Sequence, residues 1–241
     1  YKADLWLNSS WKKFLIKPLI NKLFLELRIW DVIASNRVDI NLANSNNTSN
    51  RIKKYYRKDS ILLYPPVETK RFAKDLSDTK YELNFKKYYI IISALTEFKK
   101  IDIAIKAFNN LDENLIIVWA WDYKNELEKI VKKQNITFVW PKYDDELVYL
   151  VQNSMWLIFP WEEDFGIVPI EIMAAWKPVF AYYWWWLTET VLPWITWDFF
   201  KDKNGMDFIE NFKIFHKNNL EVKYNPDNCK KQASIFSKEN F

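Results

Sequence analysis

The sequence has few glycine, cysteine and histidine residues. The shortages of cysteine and histidine argue against disulfides, histidine-based metal sites and histidine-dependent catalysis. Only 2 Gly, 1 Cys and 1 His occur among 241 residues, whereas average usage predicts about 17 glycines. The single Cys229 excludes an internal disulfide and fits a reducing cytoplasm. The single His216 argues against a histidine-based metal site and a histidine-dependent triad. No apolar run reaches the roughly 18–20 residues of a membrane span.

Tryptophan is as abundant as glycine is rare. The 14 Trp and 2 Gly together nearly equal the glycine count of about 17 expected from average usage. Trp184, Trp185 and Trp186 follow an apolar run at a predicted tight loop, and Trp119 and Trp121 flank the residue after a predicted strand. The codon UGA is read as Gly in some uncultured bacterial lineages and as Trp under another common code. We therefore expect many of these Trp to stand for Gly; the alternative is a Trp-rich, sugar-binding protein.

The remaining composition is that of an ordinary globular protein, with 49% hydrophobic and 27% charged residues. A net charge of +4 is too small to indicate nucleic acid, but it fits an anionic ligand or an anionic membrane surface. Residues 11–30 interleave basic and apolar side chains. Such a stretch can lie on a membrane surface, but we favour a helix packed on its own domain. Because the chain begins with Tyr1, we expect a fragment.

Strand-like and helix-like segments alternate from residue 67 to residue 210. Near-continuous apolar strands between helices predict a parallel sheet covered on both faces, in a doubly wound α/β domain. Tyr64, Pro65 and Pro66 form a stiff connector, and a separate unit precedes it. The predicted strands are 38–45, 61–64, 88–95, 114–118, 136–139, 155–160 and 178–183, and the predicted helices are 46–57, 101–111, 122–133, 144–154 and 167–175.

The densest chemical signal lies between residues 160 and 190. Glu163 and Glu171 are eight residues apart, with Gly166 between them at a loop-to-helix transition. Gly166 allows close backbone approach, and the helix start beyond it offers free N–H groups to an anion. If Trp184, Trp185 and Trp186 are read as Gly, these positions form a glycine-rich loop whose backbone amides could bind phosphate. The alternatives are two solvated carboxylates, or the acid and nucleophile of a glycoside hydrolase.

These residues resemble glycosyltransferase family 4, whose members are retaining enzymes of the GT-B fold. The likeness is greatest to the mannosyltransferase-like branch that builds polysaccharide, lipopolysaccharide and O-antigen chains. It is based on LLYPPVETKRF (62–72), SALTEFKKIDIAIKAF (93–108), the stretch 159–191 with its Glu, seven residues, Glu signature, and two further stretches, 28–56 and 116–130. The resemblance implies one nearly complete Rossmann-like donor domain (67–215), a C-terminal remnant of the acceptor-side domain (1–66) and a truncated helical segment (216–241).

The resemblance also implies roles for individual residues. Glu171 would hydrogen-bond the donor ribose, Glu163 would contact the transferred sugar, and Lys99 would neutralise the diphosphate. Many relatives pair this Lys with an Arg at the position of Ala94, so the diphosphate site is weaker here. The other implied donor-binding residues are Gly166, Ile167, Trp184, Trp185, Trp186, Leu187, Glu189, Val139 and Lys142.

The expected function is hexose transfer, with mannose moved from GDP-mannose to a growing, lipid-linked saccharide. We expect no cofactor beyond the nucleotide-sugar substrate, no metal and no nucleic acid. The expected location is the cytoplasm, with a peripheral contact to the inner membrane face, and this fragment alone is expected to be inactive. A UDP-sugar-dependent transferase and an inactive sugar-nucleotide-binding module are the alternatives.

Overall fold

The computed structural model describes residues 12–76, 85–120, 124–140, 144–183, 189–192, 196–200, 206–219 and 225–241. The chain divides into two compact units, residues 1–63 and 64–241. The helices are α1 (Lys12–Ser35), α2 (Asn46–Tyr56), α3 (Thr69–Phe72), α4 (Ile101–Phe108), α5 (Lys124–Glu128), α6 (Asp144–Asn153), α7 (Ile167–Ala174), α8 (Met206–Asn219) and α9 (Pro226–Ser234). The strands are β1 (Leu42–Ala43), β2 (Ile61–Leu62), β3 (Tyr89–Ala94), β4 (Leu115–Ala120), β5 (Ile136–Val139), β6 (Leu157–Phe159), β7 (Val179–Tyr182) and β8 (Trp197–Phe200).

In the first unit, β1 and β2 pair in parallel beside α2. Ser45 caps α2, because its Oγ accepts a hydrogen bond from the Thr48 amide at 3.1 Å. The strand predicted over 38–45 is limited to Leu42–Ala43, because β1 pairs with β2 at only two positions.

Helix α1 contacts α2 of its own unit, where the Tyr56 hydroxyl donates to Asp31 Oδ2 at 2.8 Å. Its large apolar side chains are mostly exposed in this chain: Leu19, Leu23, Leu25, Leu27, Ile29, Trp30, Val32 and Ile33. The expectation that this stretch packs on its own domain rather than on a membrane surface stays a prediction. Within the described ranges, no helix is long and apolar enough to cross a membrane.

The second unit contains a six-stranded, all-parallel sheet in the order β5-β4-β3-β6-β7-β8. Counted within this unit, the order is 3-2-1-4-5-6, the arrangement of dinucleotide-binding doubly wound domains. Tyr89, Ile90 and Ile91 of β3 and all of β6 are buried, as expected for strands covered on both faces. Chain order reverses between β3 and β6, so a ligand crevice is expected outside their carboxyl ends.

Helix α8 packs against the sheet through an aromatic cluster. The Phe212 ring lies 4.9 Å from Tyr89, 5.4 Å from Phe108 and 6.1 Å from Trp156, each in an edge-to-face arrangement. Trp156 is 5% exposed, so it behaves as a core aromatic residue. The sequence reading did not predict β8 or this packing.

Helix α7 ends in a Schellman motif whose left-handed position is Trp176. The Trp176 amide donates to the Met173 carbonyl at 3.0 Å, and the Lys177 amide donates to the Ile172 carbonyl at 3.2 Å. Trp176 has φ of 58°. Gly normally occupies this position because a Cβ atom is strained there.

Candidate functional site

Lys99 and Glu163 meet at the crevice where the strand order reverses. Lys99 ends a short 3-10 turn after β3, and Glu163 lies in the loop after β6. Lys99 Nζ lies 2.7 Å from Glu163 Oε2, and the two side chains are 16% and 38% exposed. Because β3 and β6 are neighbours in the sheet, residues 64 positions apart in sequence form one charged pair.

The Trp161 side chain crowds this pair. It is 3% exposed, and its ring centroid lies 4.7 Å from Lys99 Nζ and 4.0 Å from that of Phe159. Its Nε1 donates to Glu163 Oε2 at 3.3 Å. An indole therefore fills space beside the Lys99 amine, which the family resemblance implies would neutralise the diphosphate. A glycine at this position would leave that space open.

Gly166 and Ile167 form the start of α7 at the same edge of the sheet. Gly166 has φ of 83° and ψ of 66°, a left-handed conformation in which it serves as the N-cap. Ile167 is the first helical residue and is 46% exposed. The first amides of the helix have no intrahelical acceptor, and they point toward the crevice end of the unit. This end of α7 therefore suits an anionic or hydroxyl-rich ligand.

Glu171 lies one turn farther along α7. Burial raises the pKa of its carboxyl from 4.5 to about 7, and the positive charge of Arg71 on α3 partly offsets this effect. Helices α3 and α7 pack against each other. A carboxyl whose pKa lies near neutrality and which sits beside a crevice is a frequent mark of a functional residue.

The other predicted residues have more varied positions. Ala94 ends β3 and pairs with Ala120, and Val139 ends β5, so both lie at the carboxyl edge of the sheet. The Glu189 carboxylate accepts a hydrogen bond from the Tyr64 hydroxyl at 3.1 Å. The remaining predicted residues lie outside the described residues: Lys142, Trp184, Trp185, Trp186 and Leu187.

Sequence reasoning missed three side chains at this edge. Tyr64 and Phe165 stack with their ring centroids 5.6 Å apart, and Arg71 interacts electrostatically with Glu171. Tyr64 and Arg71 belong to stretches quoted for the connector, but no spacing in the sequence brings them to the loops. Within the described residues, no group of three or more His, Cys, Asp or Glu side chains could hold a metal ion.

Comparison with known proteins agrees with this architecture. Residues 74–234 match the family model for Glycosyl transferases group 1. A GDP-Man:Man(3)GlcNAc(2)-PP-Dol alpha-1,2-mannosyltransferase of Candida glabrata is 25% identical over 191 residues, which cover 68% of this chain and 36% of that protein. An alpha-1,3/1,6-mannosyltransferase, ALG2, of Saccharomyces cerevisiae is 24% identical over 215 residues, covering 69% of this chain and 42% of that protein.

Among solved structures, Anabaena Alr3699/HepE in complex with UDP and glucose superposes with a TM-score of 0.74 at 17% identity, over 87% of this chain and 62% of that one. This likeness confirms the predicted α/β fold of the GT-B type. The chain spans less than two thirds of the length of each of these three proteins. Because the family model matches well over half of the chain, this protein belongs to the Glycosyl transferases group 1 family.

Proposed function

We propose that this chain is the donor-binding part of a retaining hexosyltransferase that moves mannose from GDP-mannose to a growing, lipid-linked saccharide. The observation that carries the proposal is the Lys99–Glu163 pair at the point where the strand order of the sheet reverses. Glu171 lies on α7, the helix that follows the loop containing Glu163. Nucleotide ligands of doubly wound domains bind where the strand order reverses. A cation and two carboxylates there match the charges and hydroxyls of a nucleotide sugar.

Each residue has a separate task in the proposed reaction. Lys99 neutralises the diphosphate, whose negative charge grows as its bond to the sugar breaks. The amides of Gly166 and Ile167 add donors to the same leaving group. Glu163 and Glu171 hydrogen-bond the sugar and the ribose. The acceptor hydroxyl attacks the sugar from the face that the diphosphate leaves, so no protein nucleophile is required.

The choice of donor is supported by the relatives. The Candida glabrata relative is named for GDP-Man and a PP-Dol-linked acceptor. A UDP-sugar is the second candidate, because the Anabaena structure contains UDP and glucose. The third candidate, a module that binds without transfer, is favoured by the Trp161 ring beside Lys99. A cytoplasmic enzyme with a peripheral membrane contact is consistent with the described helices.

Calorimetric titration of the chain with GDP-mannose, GDP, UDP-glucose and UDP tests this proposal. The same titrations with Trp161→Gly test the crowding of Lys99. We expect GDP-mannose to bind Trp161→Gly more tightly than UDP-glucose, and Glu171→Ala in that background to weaken binding at least about tenfold. Failure of every GDP and UDP ligand to bind either chain would refute the proposed function. Preference for UDP-glucose would replace the donor and keep the reaction class.

A further inference from the structure

Tyr64 is the first residue of the second unit, and its ring is held in a three-ring cluster. The ring stacks on Phe165 at 5.6 Å with an interplanar angle of 25°. It also meets Phe236 edge-to-face at 5.3 Å, and Phe165 meets Phe236 at 5.5 Å. We call Tyr64, Phe165 and Phe236 the connector cluster. It joins the Tyr-Pro-Pro connector, the loop after β6 and the C-terminal segment.

The Tyr64 hydroxyl adds a polar contact that the ring packing does not need. It donates a hydrogen bond of 3.1 Å to Glu189 Oε2 across 125 positions of sequence, in a partly buried setting. Glu189 follows Trp184, Trp185 and Trp186, where the sequence predicts a phosphate-binding loop. Phe165 directly precedes Gly166, the left-handed residue that starts α7. One side chain therefore contacts both segments that flank the proposed donor site.

The backbone around Tyr64 is fixed rather than loosely connected. The Val67 amide donates to the Phe236 carbonyl at 2.8 Å, and Val67 forms a parallel bridge with Ser237. Ion pairs join Glu68 to Lys238 and Lys70 to Glu239. Pro65 and Pro66 limit the φ angles next to Tyr64. A residue anchored in this way can hold its hydrogen-bond acceptor in one place.

We propose that Tyr64 is a positioning residue of the donor site, which holds the Glu189 carboxylate and the Gly166 turn in their binding geometry. This inference rests on the proposed function. It distinguishes the hydroxyl, which orients Glu189, from the ring, which packs the cluster. Tyr64→Phe keeps the ring that stacks on Phe165 and removes the hydroxyl that donates to Glu189.

Tyr88→Phe is a matched control. The Tyr88 hydroxyl is buried and donates to the Leu150 carbonyl at 2.7 Å, directly before β3 and therefore at the opposite end of the sheet. Both variants lose one tyrosine hydroxyl and one hydrogen bond. Only the Tyr64 variant loses a bond at the donor edge.

The experiment combines nucleotide titration with hydrogen exchange of the ligand-free chain. We expect Tyr64→Phe to weaken GDP binding about five- to tenfold, as the loss of one hydrogen bond to a charged group implies. We also expect faster exchange in peptides that contain Gly166 and Glu189. Tyr88→Phe should change neither measurement, because its hydroxyl lies at the other sheet edge.

The two readouts separate the two proposals. If the parent chain binds GDP and Tyr64→Phe binds it equally well, the positioning role is refuted while the proposed function stands. If no nucleotide binds the parent chain, the proposed function fails, and the role of Tyr64 in a donor site fails with it. If GDP binds the parent chain, unchanged exchange at Gly166 and Glu189 in Tyr64→Phe would also overturn the inference, whereas faster exchange together with weaker binding supports it.

Discussion

Lys99 Nζ lies 2.7 Å from Glu163 Oε2 and joins the loops that follow β3 and β6. The cation proposed for the diphosphate is thus paired with the carboxylate proposed for the sugar in the ligand-free protein. A bound donor must take over part of this interaction. In the absence of ligand, the Glu163 carboxylate therefore compensates the positive charge of the half-buried Lys99.

Replacing Lys99 by Ala should weaken GDP binding by roughly ten- to a hundredfold, because a charge-assisted contact to the diphosphate is lost. Lys106→Ala is the matched control. Lys106 also forms a 2.7 Å ion pair, with Asp102, but on the exposed surface of α4. Titration calorimetry in the Trp161→Gly background measures both variants. Equal affinities for Lys99→Ala and Lys106→Ala would contradict the assigned role.

Replacing Glu163 by Gln should change the affinities for GDP and GDP-mannose to different extents. The Lys99 ammonium loses its anionic partner, so affinity for GDP should rise about two- to fivefold. Affinity for GDP-mannose should rise less or fall, because the sugar loses a charged acceptor. The ratio of the two dissociation constants is the measurement. A parallel change for both ligands would show that Glu163 does not contact the sugar.

The raised pKa of Glu171 predicts a pH-dependent stability. The folded protein holds its proton up to about pH 7, whereas the unfolded chain releases it near pH 4.5. The favourable contribution of the neutral carboxyl is therefore complete below pH 4.5 and is lost as the pH rises through 7. The expected loss is on the order of 1–3 kcal/mol. Denaturant unfolding of Glu171→Gln should lack this loss between pH 5 and 8, and an identical pH profile in both proteins would argue against a buried, raised carboxyl.

Trp176 offers a direct test of the expectation that many Trp stand for Gly. Both Trp176→Gly and Trp176→Ala remove the ring and its contact with Lys230 at 5.1 Å. Only Gly relieves the left-handed backbone, so the Gly variant should be more stable by about 1 kcal/mol. Trp140 is the control, because it is 69% exposed and is not among the described residues with positive φ.

At Trp140, Gly should be no more stable than Ala, because the unfolded chain gains freedom without relief of strain. Chemical denaturation of the four variants measures these differences in the free energy of unfolding.

The gene sequence is an independent test of whether these Trp stand for Gly. UGG codons at positions 161, 176 and 184 to 186 would refute the recoding hypothesis. UGA codons there would support it.

His216 on α8 contacts both Tyr89 of β3 and Glu113. Its Nδ1 lies 2.6 Å from the Tyr89 hydroxyl, and its Nε2 lies 3.3 Å from Glu113. His216→Ala should lower the free energy of unfolding by about 1–3 kcal/mol, because a buried hydroxyl loses its partner. Lys213→Ala, at an exposed position of α8, should change it by less than about 0.5 kcal/mol. Equal destabilisation by both variants would contradict a stabilising role for the contacts of His216 with Tyr89 and Glu113.

The sequence alone determined the layered α/β architecture. The apolar runs that became β3, β4 and β6 have the composition of strands buried on both faces, so their pattern is local and readable. The strand β8 was missed because WDFF is four residues long and has a charged residue inside it. Helix α5 ends at Glu128, before the predicted end at residue 133, because few apolar positions define the end of this polar helix.

Only the tertiary structure decided which side chains meet. Lys99 reaches Glu163 because the strand order places β3 beside β6, and Tyr64 reaches Glu189 because the connector pairs with the C-terminal segment. The same holds for Trp176, whose left-handed φ comes from the end of α7 and was invisible in composition. Periodicity is a property of neighbours along the chain, whereas these contacts depend on sheet order and on burial, which no short stretch of sequence encodes.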